Sequence, residues 1–222
     1  MKVTIFKDVF KKEDPHHIQL ETALSRIREG KSKKLIEEVR AGDKEKKKKL
    51  PIVCFSGEFS SRADDALFEH SGLIVLDFDH VDVNETIQAL GTDDYIRSCW
   101  ISPSGDGVKA LVKVTNPERH RDHFRSLISY FEKQYCLHID ESGSNESRAC
   151  FESYDPNIII KDSSKPFGAF LSEMAHNQAP TNEAYDYTDY MKLNLSTRMI
   201  RNAADGEKWV MLNKASMLCG GY

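Results

Sequence analysis

The chain has 222 residues, 40% of them hydrophobic and 30% charged, with a formal net charge of −4. That is enough chain for one sizeable core and part of a second domain, in the composition of a soluble globular protein. It excludes a bilayer-spanning helix, because no apolar stretch is long enough, and it removes bulk electrostatics as a reason to bind nucleic acid. A local basic site stays compatible with the charge balance. The Met1–Lys7 start lacks the apolar core of a signal peptide. Cys54, Cys99, Cys136, Cys150 and Cys219 include no Cys-x-x-Cys pair, which argues for reduced thiols in a cytoplasm and against a zinc knuckle.

In chain order, Lys2–Phe6 reads as a first strand. Leu20, Leu24 and Ile27 have helical spacing, with Gly30 as a C-terminal stop. Leu35, Ile36 and Val39 predict a second helix that ends near Gly42. The run Asp43–Lys49 reads as a solvated helix end or loop, with a phosphate contact as the sharper alternative. Pro51–Phe55 is a short strand, and Ala63–His70 is expected to form a short helix.

Residues 72–79 form the central strand, apolar on both faces through Leu73, Ile74, Val75 and Leu76. A helix follows over about 83–90, with Asp82 as N-cap, Glu85 at the capping-box position and Gly91 after its end. Tyr95–Ser102 is a strand, Pro103–Gly107 a turn, and Val108–Val114 the returning strand. A long helix covers Pro117–Tyr135 on the stripe Phe124, Leu127, Ile128, Phe131 and Tyr135. Ala149–Glu152 is the last strand of the series. The expected fold class is therefore α/β (α+β): an N-terminal α/β unit over 1–70 and a β-α-β-β-α-β, RRM-like core over 71–161. A short helix near 167–175 completes a first domain over 1–175. A linker over 176–186 leads to helices near 187–203 and 206–218, too few to bury a core alone.

The chemistry concentrates at the end of the central strand. Asp77 and Asp79 lie on one side of it, with Cα atoms about 6.6 Å apart. Two such carboxylates at the end of a buried strand repel each other unless a cation neutralises them, and oxygen ligands suit magnesium or manganese. In an RRM-like sheet this strand end faces the segment Ser104–Lys109, and Asp140 can reach the same edge.

Three features together resemble the archaeo-eukaryotic primase superfamily: Asp77-Phe78-Asp79, the turn Ser102-Pro103-Ser104-Gly105-Asp106-Gly107 leading to Lys109, and His138-Ile139-Asp140. The nearest pattern is the primase-like N-terminal domain of phage, plasmid and mobile-element replication proteins, which Leu50–Gly57 and Arg148–Pro156 also resemble. The resemblance covers about residues 1–160. It implies that Asp77, Asp79 and Asp140 hold one or two Mg2+ or Mn2+ ions. It implies that Ser102, Ser104, Gly105, Gly107, Lys109 and Arg148 bind nucleotide, and that the reaction is nucleotidyl transfer. The implied partners are a single-stranded DNA template, NTPs or dNTPs and a replicative helicase, in the cytoplasm of a bacterial cell or phage-infected host, with no membrane. Two departures stand out: Lys109 where most of the superfamily has His, and Asp106 inserted in the turn.

Each motif has a plainer reading. Asp140-Glu141-Ser142-Gly143 is also ordinary turn chemistry, and Arg148 could pair with Glu146 or Glu152 on the surface. An RRM-like nucleic-acid binder without catalysis would want exposed aromatics on its central strands, and only Phe78 is offered. A haloacid-dehalogenase-type phosphatase would want a doubly wound parallel sheet, and a glycosyltransferase is a further Asp-x-Asp enzyme. A degenerate primase-like domain kept for nucleic-acid binding or replication assembly is the non-enzymatic alternative.

Overall fold

The computed structural model describes residues 1–168. They fall within one unit, Met1–Glu173. The linker and helices expected beyond residue 175 lie outside the described residues. In chain order the strands are β1 (Lys2–Phe6), β2 (His16–Gln19), β3 (Ile52–Cys54), β4 (Gly57–Phe59), β5 (Leu67–His70), β6 (Leu73–Phe78), β7 (Ile96–Ile101), β8 (Val108–Lys113), β9 (Cys150–Phe151) and β10 (Ile159–Ile160). The helices are α1 (Leu20–Glu29), α2 (Lys33–Arg40), α3 (Lys44–Lys47), α4 (Val83–Thr92) and α5 (His120–Tyr135). The class is mixed α and β, with antiparallel pairing throughout the named strands.

Two four-stranded sheets, ordered β2-β1-β3-β9 and β10-β7-β8-β6, carry the fold, and β4-β5 forms a separate ribbon. β6 is apolar on both faces because both are covered. Leu73 and Val75 join Trp100 and Leu111 against Val3 and Val53 of the other sheet, Phe55 in the turn after β3, and Leu20, Leu24 and Ile27 of α1. On the opposite face, the Phe78 ring meets Phe131 of α5 edge-on at 5.5 Å. α4 starts as expected, with the Asp82 side chain accepting the Glu85 N–H at 2.9 Å. It runs one residue past Gly91, where a Cβ would lie 2.8 Å from the Ile159 side chain; glycine there lets β10 sit close to the helix.

Several expectations need correction. Ala63–His70 is not a helix: a 3-10 turn at Asp64–Ala66 leads into β5, whose backbone pairs with β4. Ala149–Glu152 does supply a strand, but β9 pairs with β3, so it belongs to the first sheet. The fourth strand of the β6 sheet is β10, beside β7. β6 is therefore an edge strand, although it is antiparallel to β8 as expected. Phe167 forms a parallel bridge to Val114, so the start of the expected 167–175 helix is extended.

Candidate functional site

Strand register places the first charges. Asp77 of β6 and Trp100 of β7 both pair with Lys109 of β8, so the three side chains share one face. That face is the inner one, which Val75, Leu73 and Leu111 continue inward. Lys109 is only 6% exposed, and its ammonium pairs with Asp77 Oδ2. A lysine so placed requires a carboxylate, and Asp77 supplies it. Asp79 stands one residue beyond β6, exposed to solvent. Partial desolvation, then the negative charge of Asp77 and Asp140, hold its carboxyl above the usual range despite Lys109.

Asp140 is brought in by backbone as well as sequence. Its N–H donates to the Asp77 carbonyl at 2.9 Å, tying the loop after α5 to the end of β6. Carboxylate oxygens of Asp77, Asp79 and Asp140 thereby lie within 4.8 Å of one another. Desolvation acts to raise the Asp140 pKa. It is outweighed by hydrogen bonds from Ser142 and Arg148, so the carboxyl is held below the usual range. Arg148, on the loop before β9, donates through Nη2 to Asp140 Oδ2 at 2.6 Å and through Nη1 to Ser142 Oγ at 2.9 Å. The same Nη2 is 3.9 Å from Asp77 Oδ2. Arg148 thus belongs to the acidic cluster and not to a surface pair: Glu152 is taken by Arg26 at 2.5 Å.

These groups line a cleft of about 420 Å³ at the end of the inter-sheet layer. Asp77, Asp79, Asp140, Lys109, Arg148 and Ser102 all contribute to its wall. Ser104, Gly105 and Gly107 form the adjoining turn and are not in that wall. The Gly105 N–H is spent inside the turn, on the Ser102 carbonyl at 3.1 Å, and is not presented to a ligand. Gly107 is fixed by close approach: a Cβ there would lie 2.6 Å from the Phe78 carbonyl oxygen and 3.3 Å from Asp79 Cα. Asp106 turns to solvent and pairs with His80 at 3.1 Å.

The sequence offers no sign of Arg62, and it offers Lys47 within a run read as solvated, with a phosphate contact as the sharper alternative; both line the cleft. Arg62 is anchored to the 9–12 loop, its Nη2 donating to the Val9 carbonyl and its N–H to the Lys12 carbonyl, each at 2.9 Å. Lys47 lies 5.6 Å from the Phe151 ring centroid and 3.4 Å from Ser104 Oγ. A lone arginine after Ser60-Ser61 carries no motif, so only the fold could reveal it.

The residues present fit a divalent cation. All three ligands are hard carboxylate oxygens, and Asp77 Oδ1 is buried without a hydrogen-bond partner among the described residues. Ser102, 3% exposed, has a buried hydroxyl in the same condition. Four basic side chains, Lys47, Arg62, Lys109 and Arg148, surround the three carboxylates, which is the charge pattern of a site for a metal and a polyanion together.

No curated protein and no solved structure matches this chain. A family model does match over residues 45–159, a span that includes every acidic and basic residue of the cleft named above. By that match over more than half its length, the chain belongs to the BT4734-like, N-terminal domain family.

Proposed function

We propose that the described unit is the catalytic domain of a DNA primase or primase–polymerase, which makes or extends primers by nucleotidyl transfer on a single-stranded DNA template. The observation that carries this reading is the meeting of Asp77, Asp79 and Asp140 within 4.8 Å, in a cleft whose other charged walls are all basic. The β7-β8-β6 order with α4 between β6 and β7 supports it further, since it supplies three strands of an RRM-like arrangement. The fourth strand is placed differently, beside β7.

Asp77, Asp79 and Asp140 would hold one or two Mg2+ or Mn2+ ions, which lower the pKa of a primer 3′-hydroxyl and neutralise the leaving pyrophosphate when bound. The chain's own residues do the rest by position and charge. Arg148 can meet a phosphate with a planar pair of N–H donors, and Lys109 with a point charge. Arg62 and Lys47 extend the positive wall along which a triphosphate or template backbone would lie. Lys109 is buried against Asp77 as an ion pair, so its work is electrostatic. Direct binding tests the reading: wild type should bind Mn2+ and a labelled nucleoside triphosphate together, and Asp77→Ala/Asp79→Ala should lose both.

A second reading has one observation in its favour. Asp77 and Asp140 already have internal cationic partners in Lys109 and Arg148, as a domain retained only for nucleic-acid binding or replication assembly would allow. Such a module would bind single-stranded DNA equally well with Mn2+ or with a chelator.

A further inference from the structure

We infer that Arg148 and Lys109 are resident counter-ions of the metal site, and that a divalent ion binds only by displacing them from Asp140 and Asp77. The inference rests on the metal–nucleotide reading of the cleft and concerns how that site is filled. Arg148 and Lys109 each occupy an oxygen that a metal would take, Asp140 Oδ2 and Asp77 Oδ2 respectively. Arg148 is also close enough to Asp77 Oδ2, at 3.9 Å, to count as a second neighbour of it. Three carboxylates against two bases leave the cluster with one net negative charge. A divalent ion on those same two oxygens would lie directly against both cations, so the ion and both bases do not share them in their present positions.

Two buried oxygens show that the internal pairing is incomplete. Asp77 Oδ1 and the Ser102 hydroxyl are buried and unpartnered among the described residues, although Arg148 and Lys109 stand in the same cleft. The bases neutralise the cluster's charge without satisfying its hydrogen-bonding capacity, which leaves a coordination position to be filled. Arg148 is held by only one carboxylate oxygen and one hydroxyl, and its side chain is 25% exposed, so it can swing into the cleft. The cleft there is lined by Arg62 and Lys47. A displaced guanidinium would join that positive wall, where phosphate oxygens are the complementary ligand. Metal binding would therefore deliver the phosphate-binding groups.

The test is Mn2+ binding to the full chain without nucleotide, followed by titration calorimetry. Arg148→Gln removes the competing cation and is expected to tighten Mn2+ by about tenfold, within the roughly 5–150-fold range of coupled sites. Arg148→Lys keeps the charge and is expected to stay close to wild type, which a merely structural role for the guanidinium would not produce. If Arg148→Gln does not fold, Arg148→Met, which keeps the apolar stem and removes the guanidinium, carries the same expectation. Unchanged or weaker Mn2+ binding in these variants would overturn the inference. Asp77→Asn separates the two failures. If it abolishes Mn2+ binding while Arg148→Gln leaves affinity unchanged, the metal reading stands and the displacement fails. If wild type and all variants bind no Mn2+, the metal reading itself fails.

Discussion

Replacing Lys109 by methionine isolates the electrostatics of the cleft from its shape. The stem of Lys109 is packed and 6% of the residue is exposed, so methionine fills much the same volume while removing the ammonium. Asp77 is then left with a carboxylate whose side chain is 17% exposed, and the nearest remaining cation is Arg148 Nη2 at 3.9 Å. Breaking a fully buried pair typically costs about 3–5 kcal/mol. The residual exposure and the Arg148 contact reduce that to roughly 2–4 kcal/mol. For a chain of this size the corresponding fall in Tm is on the order of 4–16 °C. Adding Mn2+ should recover much of the loss, because an ion at a hundred times its Kd contributes about 2.7 kcal/mol. Thermal melts with a chelator and with Mn2+ would measure both effects. Asp77→Asn/Lys109→Met should melt closer to wild type than Lys109→Met alone, since no charge is then stranded. A Lys109→Met protein that melts with wild type in chelator would refute the claim that Asp77 depends on this lysine.

Other outcomes follow from the same geometry. His70 Nδ1 accepts the Gly72 N–H at 2.9 Å, so its Nε2 carries the proton donated to His120 Nδ1 at 3.0 Å; burial first, then His70, push the His120 pKa down to about 3. The unfolded chain protonates this histidine near pH 6.5, so the stability from keeping it neutral is complete above that pH and is lost as pH falls toward about 3. From well above pH 6.5 down to pH 4.5 the loss is about 2.7 kcal/mol, and urea unfolding of His120→Asn, which keeps an acceptor, should show a correspondingly shallower decline. Gly107→Ala should cost about 1–3 kcal/mol in denaturant unfolding and weaken Mn2+ binding, because its Cβ meets the Phe78 carbonyl beside Asp79. Asp93 is 3% exposed and accepts the Tyr130 and Tyr135 hydroxyls at 2.7 and 2.8 Å and the Tyr95 and Ile96 N–H groups. Asp93→Ala should therefore destabilise by about 3 kcal/mol in a thermal melt, while Asp77 and Asp79, which it does not touch, keep their Mn2+ affinity.

The strand end at Asp77 was legible because local pattern and function agree there. A run of Leu and Val must be buried on both faces, and its period-2 geometry puts Asp77 and Asp79 together. The antiparallel pairing of β6 with β8 and the approach of Asp140 follow from the element order read as an RRM-like sheet. What failed was pairing between distant segments. β9 and β10 are each two residues long, and nothing in Cys150–Phe151 or Ile159–Ile160 says which sheet will take it. β5 has no clean alternation, with Phe68 and Glu69 both exposed, so nothing local in Ala63–His70 marks a strand, and its pairing with β4 decides the conformation. β2, polar at three of its four residues and mostly exposed, carries no strand signal for the same reason. Arg62 reaches the cleft from the β4–β5 connection, which no local pattern marks, whereas Arg148 lies in the primase-like pattern around it.

The most direct measurement of the central claim is incorporation of radiolabelled nucleotides on single-stranded DNA with Mg2+ or Mn2+, with and without a primer, comparing wild type with Asp77→Ala/Asp79→Ala. Wild type is expected to give metal-dependent product and the double variant none. Product that is undiminished in the double variant, or a wild type that makes no product and binds neither metal nor nucleotide, would contradict the claim.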